Sequence, residues 1–205
     1  MGAPLPCASP RVSATAVGAP SPEVSEARNV EVKAWAFDFE AQTRVAASMA
    51  GEPPVVVKQE DTFFHAANGR LKLREFGDGT GELIHYHRPD SKGPKRSTYV
   101  RSHTTDPCRL KETLARALGI RAIVKKTRRV VLTGQTRIHL DEVAGLGDFI
   151  EIEVVLRPEQ TVSEGVIIAE KLMAELGIER RHLVPGSYVD LLAEEKPNTS
   201  VEPPA

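Results

Sequence analysis

Six segments of this chain alternate ionisable with apolar side chains at a period of two. Successive residues of a β-strand point to opposite faces of its sheet, so each segment reads as a strand with one charged and one apolar face. In 29–37, NVEVKAWAF, Glu31 and Lys33 share a face while Val30, Val32 and Ala34 take the other. Arg70, Lys72 and Arg74 oppose Leu71 and Leu73, and Glu82 aligns with Arg88, with Ile84 and Tyr86 between them. Lys126 and Arg128 share a side; Arg137, His139 and Asp141 oppose Ile138 and Leu140; Glu151 and Glu153 oppose Ile150, Ile152 and Val154. One such strand is ordinarily the solvated side of a sheet. Six of them, with faces almost entirely ionisable, call for a different arrangement.

The remaining pattern says which. Strands are expected over 28–37, 61–65, 70–76, 81–88, 95–102, 123–132, 136–143 and 148–156, separated by turn residues such as AANG at 66–69, GDGTG at 77–81 and GLG at 145–147. Short turns make successive strands antiparallel. Three amphipathic helices interrupt them. One follows the N-cap residue Asp38; a second follows Asp106 with Pro107 at its first position and Gly119 as its stop; a third starts at Ser163 and ends at Gly177. Each helix must cover something apolar. The expected fold class is therefore α+β: an eight-stranded antiparallel β-barrel turned inside out, with its apolar faces under the helices and its charged faces lining the interior.

Composition bounds the class without naming a partner. The 205 residues carry 27 Lys and Arg against 28 Asp and Glu, a net charge of −1 that gives no general attraction for nucleic acid, and no nucleic-acid partner is expected. Any electrostatic function has to come from local arrangement. Cys7 and Cys108 are placed unsuitably for a structural disulfide, so a reducing, cytoplasmic setting is expected. No apolar run approaches a membrane span, and the N-terminus lacks a secretory signal. Residues 1–26 and 194–205 are rich in Pro, Ala, Ser, Glu or Gly without periodicity and are expected to be disordered tails around one domain, 27–193.

An interior lined this way has an electrostatic requirement. Lys33, Lys72, Arg74, Lys126, Arg128 and Arg137 repel one another unless a concentrated anion joins them. Glu31, Glu151 and Glu153 likewise repel one another and suit a divalent cation. A polyphosphate with its Mg²⁺ or Mn²⁺ meets both demands, because guanidinium and ammonium groups hold phosphate oxygens while carboxylates hold the metal.

These residues resemble the CYTH superfamily, also called triphosphate tunnel metalloenzymes, which includes class IV adenylyl cyclases and thiamine triphosphatases. The resemblance rests on Asn29-Val30-Glu31-Val32-Lys33 against the family's ExExK, on QEDTFF at 59–64, GRLKLRE at 69–75, YHRP at 86–89, IHLDEVAGLGDFIEIE at 138–153 and SYVDLL at 187–192, and it spans about 27–193. It implies an eight-stranded tunnel and chemistry at a phosphorus atom. By the same resemblance Glu31, Glu151, Glu153 and Asp141 are expected on the metal, with Glu82 supporting the acidic cluster. Lys33, Lys72, Arg74, Arg88, Lys126, Arg128 and Arg137 are expected on the triphosphate, and Glu31, Lys33 and Glu82 in the chemistry. One position departs from the pattern: the first Glu of ExExK is Asn29, which offers an oxygen without charge.

Three activities fit. The first is a metal-dependent phosphohydrolase acting on ATP, thiamine triphosphate or tripolyphosphate. The second is a class IV-type adenylyl cyclase releasing cyclic AMP and pyrophosphate. The third is a non-catalytic triphosphate- or polyphosphate-binding module, which Asn29 motivates. A monomer or homodimer is expected. His139 is either a general base or a hydrogen-bonded wall residue, the wall being the plainer reading. His85 and His87 form an i, i+2 pair without a third ligand. Trp35 and Phe37 are expected to cap a tunnel end or pack.

Overall fold

A computed structural model describes residues 27–195. The expected tail at 1–26, Cys7 within it, and 196–205 lie outside the described residues. The strands are β1 (Ala27–Trp35), β2 (Val55–Phe64), β3 (Arg70–Phe76), β4 (Gly81–His87), β5 (Lys95–Thr104), β6 (Ile120–Thr133), β7 (Thr136–Val143) and β8 (Gly147–Val155). The helices are α1 (Phe39–Ser48), α2 (Pro107–Leu118), α3 (Val162–Glu175) and α4 (Tyr188–Glu195). The strands close into one antiparallel barrel in the order β1-β5-β4-β3-β2-β6-β7-β8.

Parity sorts the side chains as the alternation requires. Val30, Val32, Ala34, Ile138, Leu140, Ile150, Ile152 and Val154 are buried on the outside of the barrel, in one core with Leu172, Met173 and Leu176 of the helical layer. Burying a side chain of this size contributes about 1.5–3 kcal/mol, so this outer layer, not the barrel interior, supplies most of the hydrophobic stabilisation. α3 packs on β1 and β8. It lies so close that a Cβ on Gly165 would stand 2.7 Å from Val30 Cγ2 and Leu156 Cδ2, which is why that position carries no side chain.

The helix ends follow local chemistry. Asp38 Oδ1 accepts from the Ala41 amide and Asp106 Oδ1 from the Arg109 amide, each satisfying a backbone donor of the first turn. α3 begins one residue before the expected Ser163. Thr161 caps it, because Thr161 and Glu164 form a reciprocal capping box that outcompetes the serine. β2 also starts earlier than expected, at Val55. Its first residues, VVV, break the alternation, and Val55 and Val56 are exposed where they pair with Val130 and Arg129 of β6. β5 and β6 run past their expected ends, to Thr104 and from Ile120. Residues 194 and 195, assigned to the second tail, continue α4.

Candidate functional site

The inward faces of the strands enclose a cavity of about 300 Å³. Its lining holds eight basic side chains (Lys33, Lys72, Arg74, Arg88, Arg101, Lys126, Arg128, Arg137) against five acidic ones (Glu31, Asp61, Glu82, Glu151, Glu153), so the interior carries a net positive charge although the chain as a whole does not.

Strand register builds two regions. On the β1–β8–β7 wall, Glu31 lies opposite Glu153 and Lys33 opposite Glu151, while Arg137 and His139 lie opposite Glu153 and Glu151 from the other side. Lys33 Nζ donates to Glu151 Oε1 at 2.9 Å, Arg128 Nη2 donates to Glu151 Oε2 at 2.9 Å, and Arg137 Nε donates to Glu153 Oε2 at 2.9 Å. Glu31 pairs with Arg88. His139, Glu151 and Glu153 each offer a ligand atom, all within 4.8 Å of one another. Burial and the two neighbouring carboxylates Glu151 and Glu153 push the Glu31 carboxyl above its usual pKa, against the pull of Arg88. Burial, then Arg128, push His139 below its usual value, which favours neutral imidazole.

On the β2–β3–β6 wall the hub is Asp61. It accepts from Lys72 Nζ at 2.9 Å and from Arg74 Nε at 2.8 Å, and lies 3.6 Å from Lys126 Nζ. Burial opposes its ionisation, but Arg74, Lys72 and Lys126 more than offset that and hold the carboxyl well below the usual range. Lys126 goes the other way: burial, then Arg128 and Arg74, bring it down to about 7.

One end of the barrel is closed by α4. Tyr188 enters there, its hydroxyl donating to Asp141 Oδ2 at 2.8 Å while Lys33 Nζ sits 3.6 Å from the ring centroid. Asp190 anchors the helix, accepting from Arg121 at 2.6 Å and Arg70 at 3.1 Å. Asp141 is fully buried and gripped by Arg128 through two 2.6 Å bonds.

The sequence-predicted residues therefore divide. Glu31, Lys33, Lys72, Arg74, Arg88, Lys126, Arg128, Arg137, Glu151 and Glu153 all face the one cavity. Asp141 has its oxygens committed to Arg128 and Tyr188, and Arg128 Nη2 links it to Glu151 of the His139 group. Glu82 lines the cavity but lies near Arg101 and His103, at 3.6 and 3.5 Å. His85 and His87 are exposed, Trp35 packs on Phe149 with ring centroids 4.2 Å apart, and Phe37 stacks on His182. Asp61 and Tyr188 are interior residues that sequence reasoning missed. A lone aspartate sharing a face with Phe63 was the available signal for Asp61; nothing in strand periodicity points to Tyr188.

Whether a divalent cation suits these residues is tested by what the interior leaves unsatisfied. Among the described residues, Asn29 Oδ1 and Gln59 Oε1 are buried acceptors without a donor, and Arg88 Nε and Nη2 are buried donors without an acceptor. All belong to the cavity lining. Buried polar groups are rarely left so. Unmatched acceptors beside carboxylates fit a cation, and unmatched guanidinium donors fit an anion.

Fold and site together define a tunnel protein with a polar, net-positive bore. The chain belongs to the CYTH domain family, whose pattern it matches over residues 27–188. A protein of Pyrococcus horikoshii has the same fold at 23% identity, with a TM-score of 0.70 over 80% of this chain and 98% of its own. A Vibrio parahaemolyticus protein put forward as an adenylate cyclase matches at 20% identity and a TM-score of 0.64, over 80% of this chain and 97% of its own. A Hippeastrum protein, put forward as an adenylyl cyclase and found to have a dominant triphosphatase activity, matches at 15% identity and a TM-score of 0.56, over 82% of this chain and 95% of its own. No curated protein matches the chain. Among the described residues no helix is long and apolar enough to cross a membrane.

Proposed function

We propose that the chain is a metal-dependent triphosphatase that holds a triphosphate in the barrel and releases orthophosphate. The carrying observation is the coexistence, in one cavity, of unmatched buried donors on Arg88 and of the His139–Glu151–Glu153 donor group. Lys33, Lys72, Arg74, Lys126, Arg128 and Arg137 would hold the phosphate oxygens, trading their contacts with Asp61, Glu151 and Glu153 for contacts with the substrate. Glu31, Glu151 and Glu153 would hold Mg²⁺ or Mn²⁺, which when bound supplies charge neutralisation at the phosphoryl oxygens. The same basic groups neutralise charge that builds up on those oxygens as the terminal bond breaks. Glu31 would also orient a water toward the terminal phosphorus. A cavity of about 300 Å³ is at the small end of ligand sites. It suits a phosphate chain.

The test is a panel of ATP, thiamine triphosphate and tripolyphosphate with Mg²⁺ or Mn²⁺ and product identification. Orthophosphate supports the reading; cyclic AMP with pyrophosphate from ATP replaces it with the cyclase, and no product from any of the three removes both. The neutral oxygen of Asn29 favours one further reading, a binding module. In that case the chain binds tripolyphosphate without measurable phosphate release, and Asn29→Glu makes release measurable by adding a carboxylate to the cation site.

Lys126 gives this reading a pH signature. In the free protein it is largely neutral at pH 8, because its pKa is about 7. An incoming polyanion favours its charged form, so at pH 8 the unmodified chain takes up more protons on binding than Lys126→Gln does, by up to about one, and the difference shrinks toward pH 6. Calorimetry of tripolyphosphate binding to both proteins in two buffers of different ionisation enthalpy measures that difference.

A further inference from the structure

We propose that His139 is a metal ligand, giving the tunnel a nitrogen donor beside Glu151 and Glu153 and a preference for a first-row transition ion such as Mn²⁺ or Co²⁺ over Mg²⁺. This rests on the metal-dependent reading above and deepens it. The buried ring of His139 places Nδ1 3.4 Å from Glu151 Oε2 and 4.0 Å from Glu153 Oε1. The first contact is longer than a well-formed hydrogen bond and the second is none, so nothing ties the ring firmly to the wall. Glu153 spends Oε2 on Arg137, and Oε1 makes no hydrogen bond among the described residues. Glu151 accepts from Lys33 and Arg128, which leaves about two of the roughly four acceptor sites of a carboxylate.

An independent observation also points to a cation here. Asn29 is 2% exposed, faces the same cavity, and its Oδ1 has no donor among the described residues. It stands two residues before Glu31 on the inward face of β1, and Glu31 lies opposite Glu153. A buried acceptor left without a donor next to carboxylates is what remains when a cation is its missing partner. The donor set is then the carboxylates of Glu31, Glu151 and Glu153, an imidazole and a neutral carbonyl oxygen. Mg²⁺ prefers oxygen ligands in strict octahedra and keeps its waters, whereas imidazole suits the transition ions, whose affinity for mixed nitrogen and oxygen sites rises along the first row.

The experiment uses the full chain loaded with Mn²⁺. Pulsed electron paramagnetic resonance should show coupling from one directly bound ¹⁴N in the unmodified protein, and that coupling should vanish in His139→Gln. By calorimetry, His139→Gln should weaken Mn²⁺ by about 10-fold or more while Mg²⁺ shifts by less than about 3-fold. Mn²⁺ bound without nitrogen coupling, equal losses for both ions, or no divalent ion bound at millimolar concentration would each overturn the inference. If the variant does not fold, the spectrum of the unmodified protein decides alone. Phosphate release from tripolyphosphate with Mg²⁺ by the unmodified chain reports on the triphosphatase reading separately: turnover without nitrogen coupling sinks this inference and spares that one.

Discussion

Glu153→Gln is expected to lower phosphate release by about 100-fold or more while moving the melting temperature by only about 2–4 °C. The asymmetry follows from what Glu153 touches. Its one ion-pair partner among the described residues that is charged at neutral pH is Arg137, and both side chains retain some exposure, 17% and 28%. A partly solvated pair contributes about 1 kcal/mol or less, and glutamine keeps an acceptor for the guanidinium. The charge lost on this residue matters to a cation far more than to the fold. Glu151→Gln should behave differently, because Glu151 is buried against both Lys33 and Arg128. Removing its charge strands the buried Lys33 and takes one of two carboxylate partners from Arg128, and should cost stability as well as turnover. Steady-state phosphate release and thermal denaturation on the two variants separate these cases. A Glu153→Gln protein that keeps more than about a tenth of its turnover would take Glu153 out of the metal site.

The architecture was readable because a barrel with a polar bore leaves the same mark on every strand. Glu31 and Lys33 against Val30 and Val32 is one instance, Glu151 and Glu153 against Ile150 and Ile152 another, and parity alone puts each set on its side of the wall. Parity assigns a face but not a partner. Which acid neutralises which base depends on register between strands far apart in the chain: Asp61 meets Arg74 across β2 and β3, and Lys126 through β6. Asp61 lies in the QEDTFF segment that carries the resemblance, but alternation alone gives it no partner. Tyr188 lies in another such segment, SYVDLL, and periodicity gives it no role for a different reason. It comes from a helix after the last strand and fills the barrel end from outside the periodic pattern. Asp141 was expected on the metal from the family resemblance; parity could not say that its oxygens are held by Arg128 and Tyr188, or that Arg128 Nη2 also bonds Glu151. Arg88 lies beyond the last residue of β4, where alternation is a weaker guide, and still reaches Glu31.

Asp61→Asn is expected to destabilise the free protein by about 3–5 kcal/mol, the cost of stranding buried charge, and to make stabilisation by tripolyphosphate larger than in the unmodified chain. Asp61 is 1% exposed and is the nearest anion to Lys72 and Arg74. With asparagine there, Lys72, Arg74 and Lys126 lose the charge that lets them share one wall, and the folded state bears their mutual repulsion. The pH dependence carries the same sign. The folded-state carboxyl lies well below its usual value, so its contribution is complete above the unfolded value near 3.9 and is lost as pH falls through the folded one. Acid should therefore unfold the unmodified chain more steeply below about pH 4 than it unfolds the variant, which has already lost that contribution. A bound triphosphate supplies the missing anion to the same three cations. In the unmodified protein it must displace Asp61 from them, and in the variant it meets no competitor. Thermal denaturation with and without tripolyphosphate, at matched ionic strength, measures both effects. If Asp61 were only a structural aspartate remote from the ligand, the variant would lose stability and gain nothing extra from the anion; a larger ligand-induced shift on a weaker protein is the outcome that a shared binding wall requires.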